Sequence, residues 1–280
     1  MSKFIAFFRL VRLNKPVGIF LLLWPTLWGI WLASHGFPNF KILGIFIVGT
    51  ILMRSAGCAV NDLVDRKVDP LVARTKYRPV ASGTITPKEA LLLIFILLSL
   101  SFCLVLQLNA LAVQIAFLAL FFVVTYPFTK RFFIMPQLYL GITFGFGILM
   151  AFAAIQNQIP VEALMLFVAN IFWSIAYDSH YAISDMNDDK KLKIHSAPLT
   201  FGHMTVKMIF GSYCFMFFIL FLIGFLSKFS LYYYIFLIIS IIIALYGCWR
   251  GRNLNPNENF HAFLLNNYVG FFVFLGFFSQ

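Results

Sequence analysis

Two short stretches hold most of the chain's carboxylates. The first reads Asn61-Asp62-Leu63-Val64-Asp65-Arg66-Lys67-Val68-Asp69, the second Tyr177-Asp178-Ser179-His180-Tyr181-Ala182-Ile183-Ser184-Asp185-Met186-Asn187-Asp188-Asp189. If a helix runs through each, Asn61, Asp65 and Asp69 share one face, and so do Asp178, Tyr181, Asp185 and Asp189. Like charges one turn apart repel, so such a face needs a compensating cation. Asp and Asn oxygens suit a hard divalent ion such as Mg²⁺, which keeps waters and takes phosphate oxygens as co-ligands. Asn61 to Asp185 and Asp65 to Asp189 are both separations of 124 residues, a hint of a duplicated four-helix unit within one 280-residue domain.

Basic residues follow each acidic stretch. Arg74, Lys76 and Arg78 come after the first, and Lys190, Lys191 and Lys193 after the second; between them lies Tyr126-Pro127-Phe128-Thr129-Lys130-Arg131. Carboxylates around a metal, fringed by Arg and Lys, are the parts that hold a diphosphate and neutralise it as it leaves. The plainer reading makes these solvated loop charges. Asp178 directly follows an apolar run, however, where a charge costs about 2.5–3.5 kcal/mol to insert.

The elements that must position these groups are membrane helices. The chain is 61% hydrophobic and 11% charged, with 36 Phe residues, whereas a soluble domain carries about 25% charge. Runs such as Phe215–Phe225 and Leu231–Leu245 do not alternate, which excludes a barrel and leaves helices. Nine spans are expected near 17–35, 41–60, 89–107, 110–127, 136–155, 161–180, 205–226, 231–249 and 262–279, the first uncleaved. With the N-terminus inside, the inner connections hold 17 Lys and Arg and the outer ones a single Lys228. That split obeys the positive-inside rule and accounts for the net charge of +11 without nucleic acid. Both acidic stretches then face the cytoplasm, where the long polar connections 61–88 and 181–204 form a cap. Cys58, Cys103, Cys214 and Cys248 are read as buried small residues, and Trp24, Trp28 and Trp31 as packing or interface anchors.

A diphosphate site on a membrane helix bundle implies a greasy tail, and an isoprenyl diphosphate meets both conditions. The chain resembles the UbiA family of intramembrane aromatic prenyltransferases over nearly its whole length. The residues that carry the likeness are Arg12-Leu13-Asn14-Lys15-Pro16 with Trp24-Pro25-Thr26-Leu27-Trp28; Asn61–Asp69; Arg74 to Gly83; Tyr126 with Lys130; Pro136-Gln137 and Leu140-Gly141; Tyr177–Asp189; and Asn266-Asn267-Tyr268-Val269-Gly270. The resemblance implies an all-α fold of nine transmembrane helices around a central cavity in a bacterial-type inner membrane. It implies a Mg²⁺-diphosphate held by Asn61, Asp65, Asp185 and Asp189, with Asp62 and Asp69 close by. Substrate contacts fall to Arg74, Lys76, Arg78, Tyr126, Lys130, Arg131, Asp178, Tyr181 and Lys190. The implied reaction moves a polyprenyl group from polyprenyl diphosphate to the ring carbon ortho to the hydroxyl of 4-hydroxybenzoate, in ubiquinone synthesis. Asn187 stands where the family usually has an acid, and His195 where Lys is common. A naphthoate or haem acceptor, or a transporter with acids at one membrane end, are the other readings. Protein partners and prenyl length are not legible.

Overall fold

A computed structural model of the chain describes residues 2–71, 75–129, 131–192 and 195–280, with main chain alone at 191–192. The described residues are helical, without strands. In order the helices are α1 (Lys3–Leu10), α2 (Val17–Ser34), α3 (Phe40–Val64), α4 (Pro87–Val105), α5 (Ala110–Thr129), α6 (Pro136–Gln156), α7 (Val161–Leu192), α8 (Ala197–Phe201), α9 (Met204–Leu226), α10 (Leu231–Gly251) and α11 (Pro256–Phe278). Nine of them, α2–α7 and α9–α11, are long and apolar enough to cross a membrane, where the apolar runs place them. Large apolar side chains such as Phe95, Phe218, Phe225 and Ile242 point outward from these spans, a surface only lipid can cover.

Local sequence sets the helix ends. Thr86 and Glu89 form a reciprocal capping box in front of α4, with Pro87 in its first turn. The Asn255 side chain accepts from the amides of Asn257 and Glu258 and starts α11 at Pro256. The final helix therefore begins six residues before the start that hydropathy suggests. The short α1 has no apolar run long enough to announce it.

The two acidic stretches end their helices differently. α7 continues twelve residues past its expected end at 180, because no Gly or Pro interrupts it and Lys190 complements the dipole at its C-terminus. α3 instead stops at Val64. Pro70, which lacks an N–H and clashes one turn back, bars its continuation, and Asp69–Leu71 form a single 3₁₀ turn. The expected four-residue repeat of Asn61, Asp65 and Asp69 along one α-helix is thus corrected at Asp69.

Polar side chains tie the bundle together around α11. Trp28 Nε1 donates to the Gly270 carbonyl at 3.0 Å and Trp24 Nε1 to Asn267 Oδ1 at 2.8 Å. Trp173 Nε1 and the Tyr213 hydroxyl both donate to Asn266 Oδ1, at 2.9 and 2.7 Å. Gly270 is obligatory here: a Cβ would lie 2.6 Å from ring atoms of both Trp173 and Trp24. The tryptophans are therefore packing elements. Of the cysteines, Cys58 is buried and Cys248 half-buried, but Cys103 and Cys214 are exposed on α4 and α9; the expectation of four buried thiols fails because these two face outward from spans.

Candidate active site

The last turn of α3 and the N-terminal segment build one side of the site. Asp62 is 1% exposed, and its Oδ1 accepts from Arg12 at 2.8 Å and faces Arg78 at 3.3 Å. Arg78 also bridges both oxygens of Asp69 at 3.0 and 3.1 Å, and the Thr75 hydroxyl donates to the Asp69 carbonyl at 3.0 Å. The loop folds back so that one guanidinium joins two buried carboxylates. Reaching Asp62 requires a left-handed backbone at Arg12, φ 59°.

The other side is α7. Tyr177, Asp178, Tyr181, Asp185 and Asp189 line a single cavity with Asn61, Asp62, Thr75 and Arg78. The cavity measures about 760 Å³. Tyr126, near the end of α5, lies on its wall, as do Arg12, Lys15 and His195. Away from the acids the wall turns apolar: Ile45 and Phe46 of α3, Leu98 and Phe102 of α4, Ala116 and Leu120 of α5, and Met150 of α6. The cavity is thus a polar mouth above an apolar trough.

Arg54 stands between the two halves. Its backbone lies two helical turns, about 10 Å, deeper than that of Asn61, and its side chain reaches to the first turn of α2. Its Nε donates to the Gly18 carbonyl at 3.1 Å, and its guanidinium lies over the Phe144 ring at 5.5 Å. Tyr126, Tyr177 and Asp178 act on it electrostatically. Among the described residues it forms no ion pair. A cation at this depth is costly and marks function. That cost is the signal the sequence carries for Arg54, and its place near the edge of an apolar run disguises it as an orientation charge. Arg12 and Lys15 carry the same disguise at the N-terminus.

Other expected site residues fall elsewhere. Asp65 caps α3 and is half-buried, while Asp69 is buried beside Arg78; neither is on the cavity wall. Lys76, Arg131 and Lys190 are exposed outside that wall, Lys76 stacked on Tyr77 and Arg131 on Phe128. Arg74, Lys130 and Lys193 lie outside the described residues.

The donors suit a divalent metal. Asn61, Asp62, Asp185 and Asp189 offer oxygen ligands only, and Asp62 Oδ2 is buried without a hydrogen-bond partner. Among the described residues no three His, Cys, Asp or Glu side chains come close enough to enclose an ion by themselves. Mg²⁺ is commonly held by one or two carboxylates together with substrate phosphates and waters.

An all-helical membrane bundle with a two-sided acidic mouth and an apolar trough is the architecture of an enzyme that handles a lipid diphosphate. The UbiA prenyltransferase family matches residues 22–275, and the chain belongs to it. It is 49% identical over 275 residues to the 4-hydroxybenzoate octaprenyltransferase of Methylobacillus flagellatus, covering 98% of this chain and 93% of that one. It is 50% identical over 268 residues to the protein of the same name from Thiobacillus denitrificans, covering 96% and 92%. The fold matches an apo UbiA homologue from Aeropyrum pernix K1 with a TM-score of 0.80 at 22% identity, over 92% of this chain and 96% of that one. It also matches a UbiA homologue from Archaeoglobus fulgidus bound to GPP and Mg²⁺, with a TM-score of 0.72 at 18% identity, over 98% and 100%.

Proposed function

We propose that the protein transfers a polyprenyl group from polyprenyl diphosphate to the carbon of 4-hydroxybenzoate ortho to its hydroxyl, on the ubiquinone route. The observation that carries this reading is the single cavity in which both acidic motifs meet an apolar trough and a half-buried arginine. The relatives' names supply the acceptor, and octaprenyl as the first tail to assay.

Asn61, Asp62 and Asp65 at the end of α3 and Asp185 and Asp189 of α7 hold the metal-bound diphosphate, with Asp69 shaping the loop behind them. Mg²⁺ supplies charge neutralisation for the leaving diphosphate. Arg78, Arg12 and Lys15 add positive charge at the same mouth. Arg74 and Lys130 keep the substrate-contact role the family resemblance gives them, while the exposed Lys76, Arg131 and Lys190 form an outer fringe that draws in anions. The C1–oxygen bond of the prenyl chain breaks and its electron pair leaves with the diphosphate. The ring carbon then forms a bond to C1, and its proton passes to the released diphosphate. Tyr126, Tyr177 and Tyr181 line the cavity, where a ring quadrupole can stabilise the positive charge that develops on the allyl group. Arg54 takes the acceptor carboxylate at the deep end of the polar region.

The mouth faces the cytoplasm, on the strength of 17 basic residues against one. Membranes containing the protein, supplied with 4-hydroxybenzoate and octaprenyl diphosphate, should form the prenylated acid with Mg²⁺ and lose that activity in EDTA. Product mass with 4-hydroxybenzoate and a dihydroxynaphthoate in competition identifies the acceptor. No product from well-expressed protein refutes the reading. Replacing exposed Ser82 by Cys should give a thiol that resists an impermeant reagent in intact cells.

A further inference from the structure

The cavity wall also holds two neutral groups whose hydrogen-bonding capacity the fold does not use. Gln137 is 3% exposed, its Oε1 is buried without a partner, and among the described residues its amide makes no hydrogen bond. Ser196 is 4% exposed with its Oγ equally unpartnered; although it precedes α8, it forms no capping bond. The two residues are far apart in sequence. The Thr200 hydroxyl donates to the Ile134 carbonyl at 3.0 Å, docking α8 against the entry to α6, and Gln137 and Ser196 both line the cavity. Buried amides and hydroxyls are nearly always paired within a protein. A substrate cavity that leaves two of them idle is shaped for a ligand that pairs them.

We propose that Gln137 and Ser196 form a hydroxyl subsite that binds the phenolic oxygen of the aromatic acceptor. The proposal rests on the aromatic prenyltransferase reading and adds where the acceptor's hydroxyl lies. An amide and a serine can each donate to and accept from an O–H. Depth along the helices selects the hydroxyl over the carboxylate. Phe144, whose ring lies under the Arg54 guanidinium, is on the same helix as Gln137 with its backbone two turns deeper, about 10 Å; Arg54 also bonds Gly18 near the start of α2, so its guanidinium lies on the deep side of Gln137 by part of that distance. A para-substituted ring with its carboxylate on Arg54 therefore carries its hydroxyl up to Gln137. The ring carbon beside the hydroxyl then sits near the level of Asn61, where the diphosphate presents its prenyl carbon, while the carbon beside the carboxylate lies deeper. Ortho selectivity follows from that stacking. The Gln137 and Ser196 side chains are themselves uncharged, whereas a diphosphate at the mouth meets Arg12, Lys15 and Arg78. In addition, Gln137 lies in the first turn of α6, where the helix dipole favours an oxygen that shares its proton.

Steady-state kinetics on membranes test this with wild type, Gln137→Met and Ser196→Ala. Three constants are measured: KM for 4-hydroxybenzoate, KM for octaprenyl diphosphate, and Ki for benzoate, the same ring without the hydroxyl. Gln137→Met keeps the side-chain length and removes the hydrogen bonds. It should raise the acceptor KM about tenfold and leave the other two constants within about twofold, so the preference for 4-hydroxybenzoate over benzoate collapses. Ser196→Ala should act in the same direction by about threefold. An unchanged preference overturns the subsite. So does a rise confined to the diphosphate KM, which would make Gln137 a phosphate contact, and so does equal loss of all three affinities, which would make it a packing residue. A wild type that transfers no prenyl group refutes the activity itself and is seen before any variant is compared.

Discussion

The two acidic motifs share a spacing and solve different problems. On α7 the helix runs straight out past the apolar segment, and Asp178, Asp185 and Asp189 line the cavity from one uninterrupted face. At the end of α3 the helix stops, the chain doubles back, and Asp62 and Asp69 are clamped by Arg12 and Arg78. The same residue types thus act as a presented ligand face in one place and as the locked hinge of a loop in the other. A repeated sequence pattern identifies a shared chemistry without fixing a shared backbone.

Substitutions can break that contrast. The largest effect is expected at the ligand face: Asp185→Ala or Asp189→Ala should lower turnover about a thousandfold, with thermal unfolding in detergent little changed. Asp65→Ala should also abolish turnover, because both motifs hold the diphosphate. Near-normal turnover in Asp185→Ala would remove α7 from the chemistry. Next comes the clamp. Asp62→Ala leaves Arg12 without its carboxylate and Arg78 with Asp69 alone; because Arg12 is partly exposed, the loss should fall below the roughly 3–5 kcal/mol of a fully buried pair. A clearly lowered melting temperature for Asp62→Ala, alongside an unshifted one for Asp185→Ala, sharpens the division between hinge and face; equal shifts erase it. The smallest effect belongs to the exposed fringe. Lys76→Ala, Arg131→Ala and Lys190→Ala should each slow diphosphate capture by less than about threefold, and the loss should fade as salt is added.

Most of the fold is legible in the residues themselves. Nine apolar runs and their turn residues place nine spans, because lipid forces every backbone group into a helix. The α7 face is also readable, from Asp178 to Asp189. The continuation of α7 beyond 180 is not, because hydropathy reports where lipid ends and a helix entering water keeps its hydrogen bonds. The halt of α3 is written in Pro70, but the regular spacing of the acids points the other way. Arg54 is visible as a charge, and its position in a span hides what it does. Gln137 is visible only as part of a family motif. A neutral side chain reveals a role only when the fold shows that nothing pairs with it.

The left-handed turn at Arg12 has a practical consequence for anyone modifying the chain. Holding a non-glycine residue there costs about 1–2 kcal/mol, and the return is a guanidinium 2.8 Å from Asp62. Residues 11–16 therefore work as a fixed-length tether whose far end is a site charge. Ser2 and Lys3 are exposed, so a fluorescent or affinity module joined ahead of them leaves the tether at its natural length. Inserting even one residue between α1 and α2 would change that length and swing the guanidinium away from its carboxylate. The N-terminus is a convenient handle, and the six residues after α1 are the stretch to leave alone.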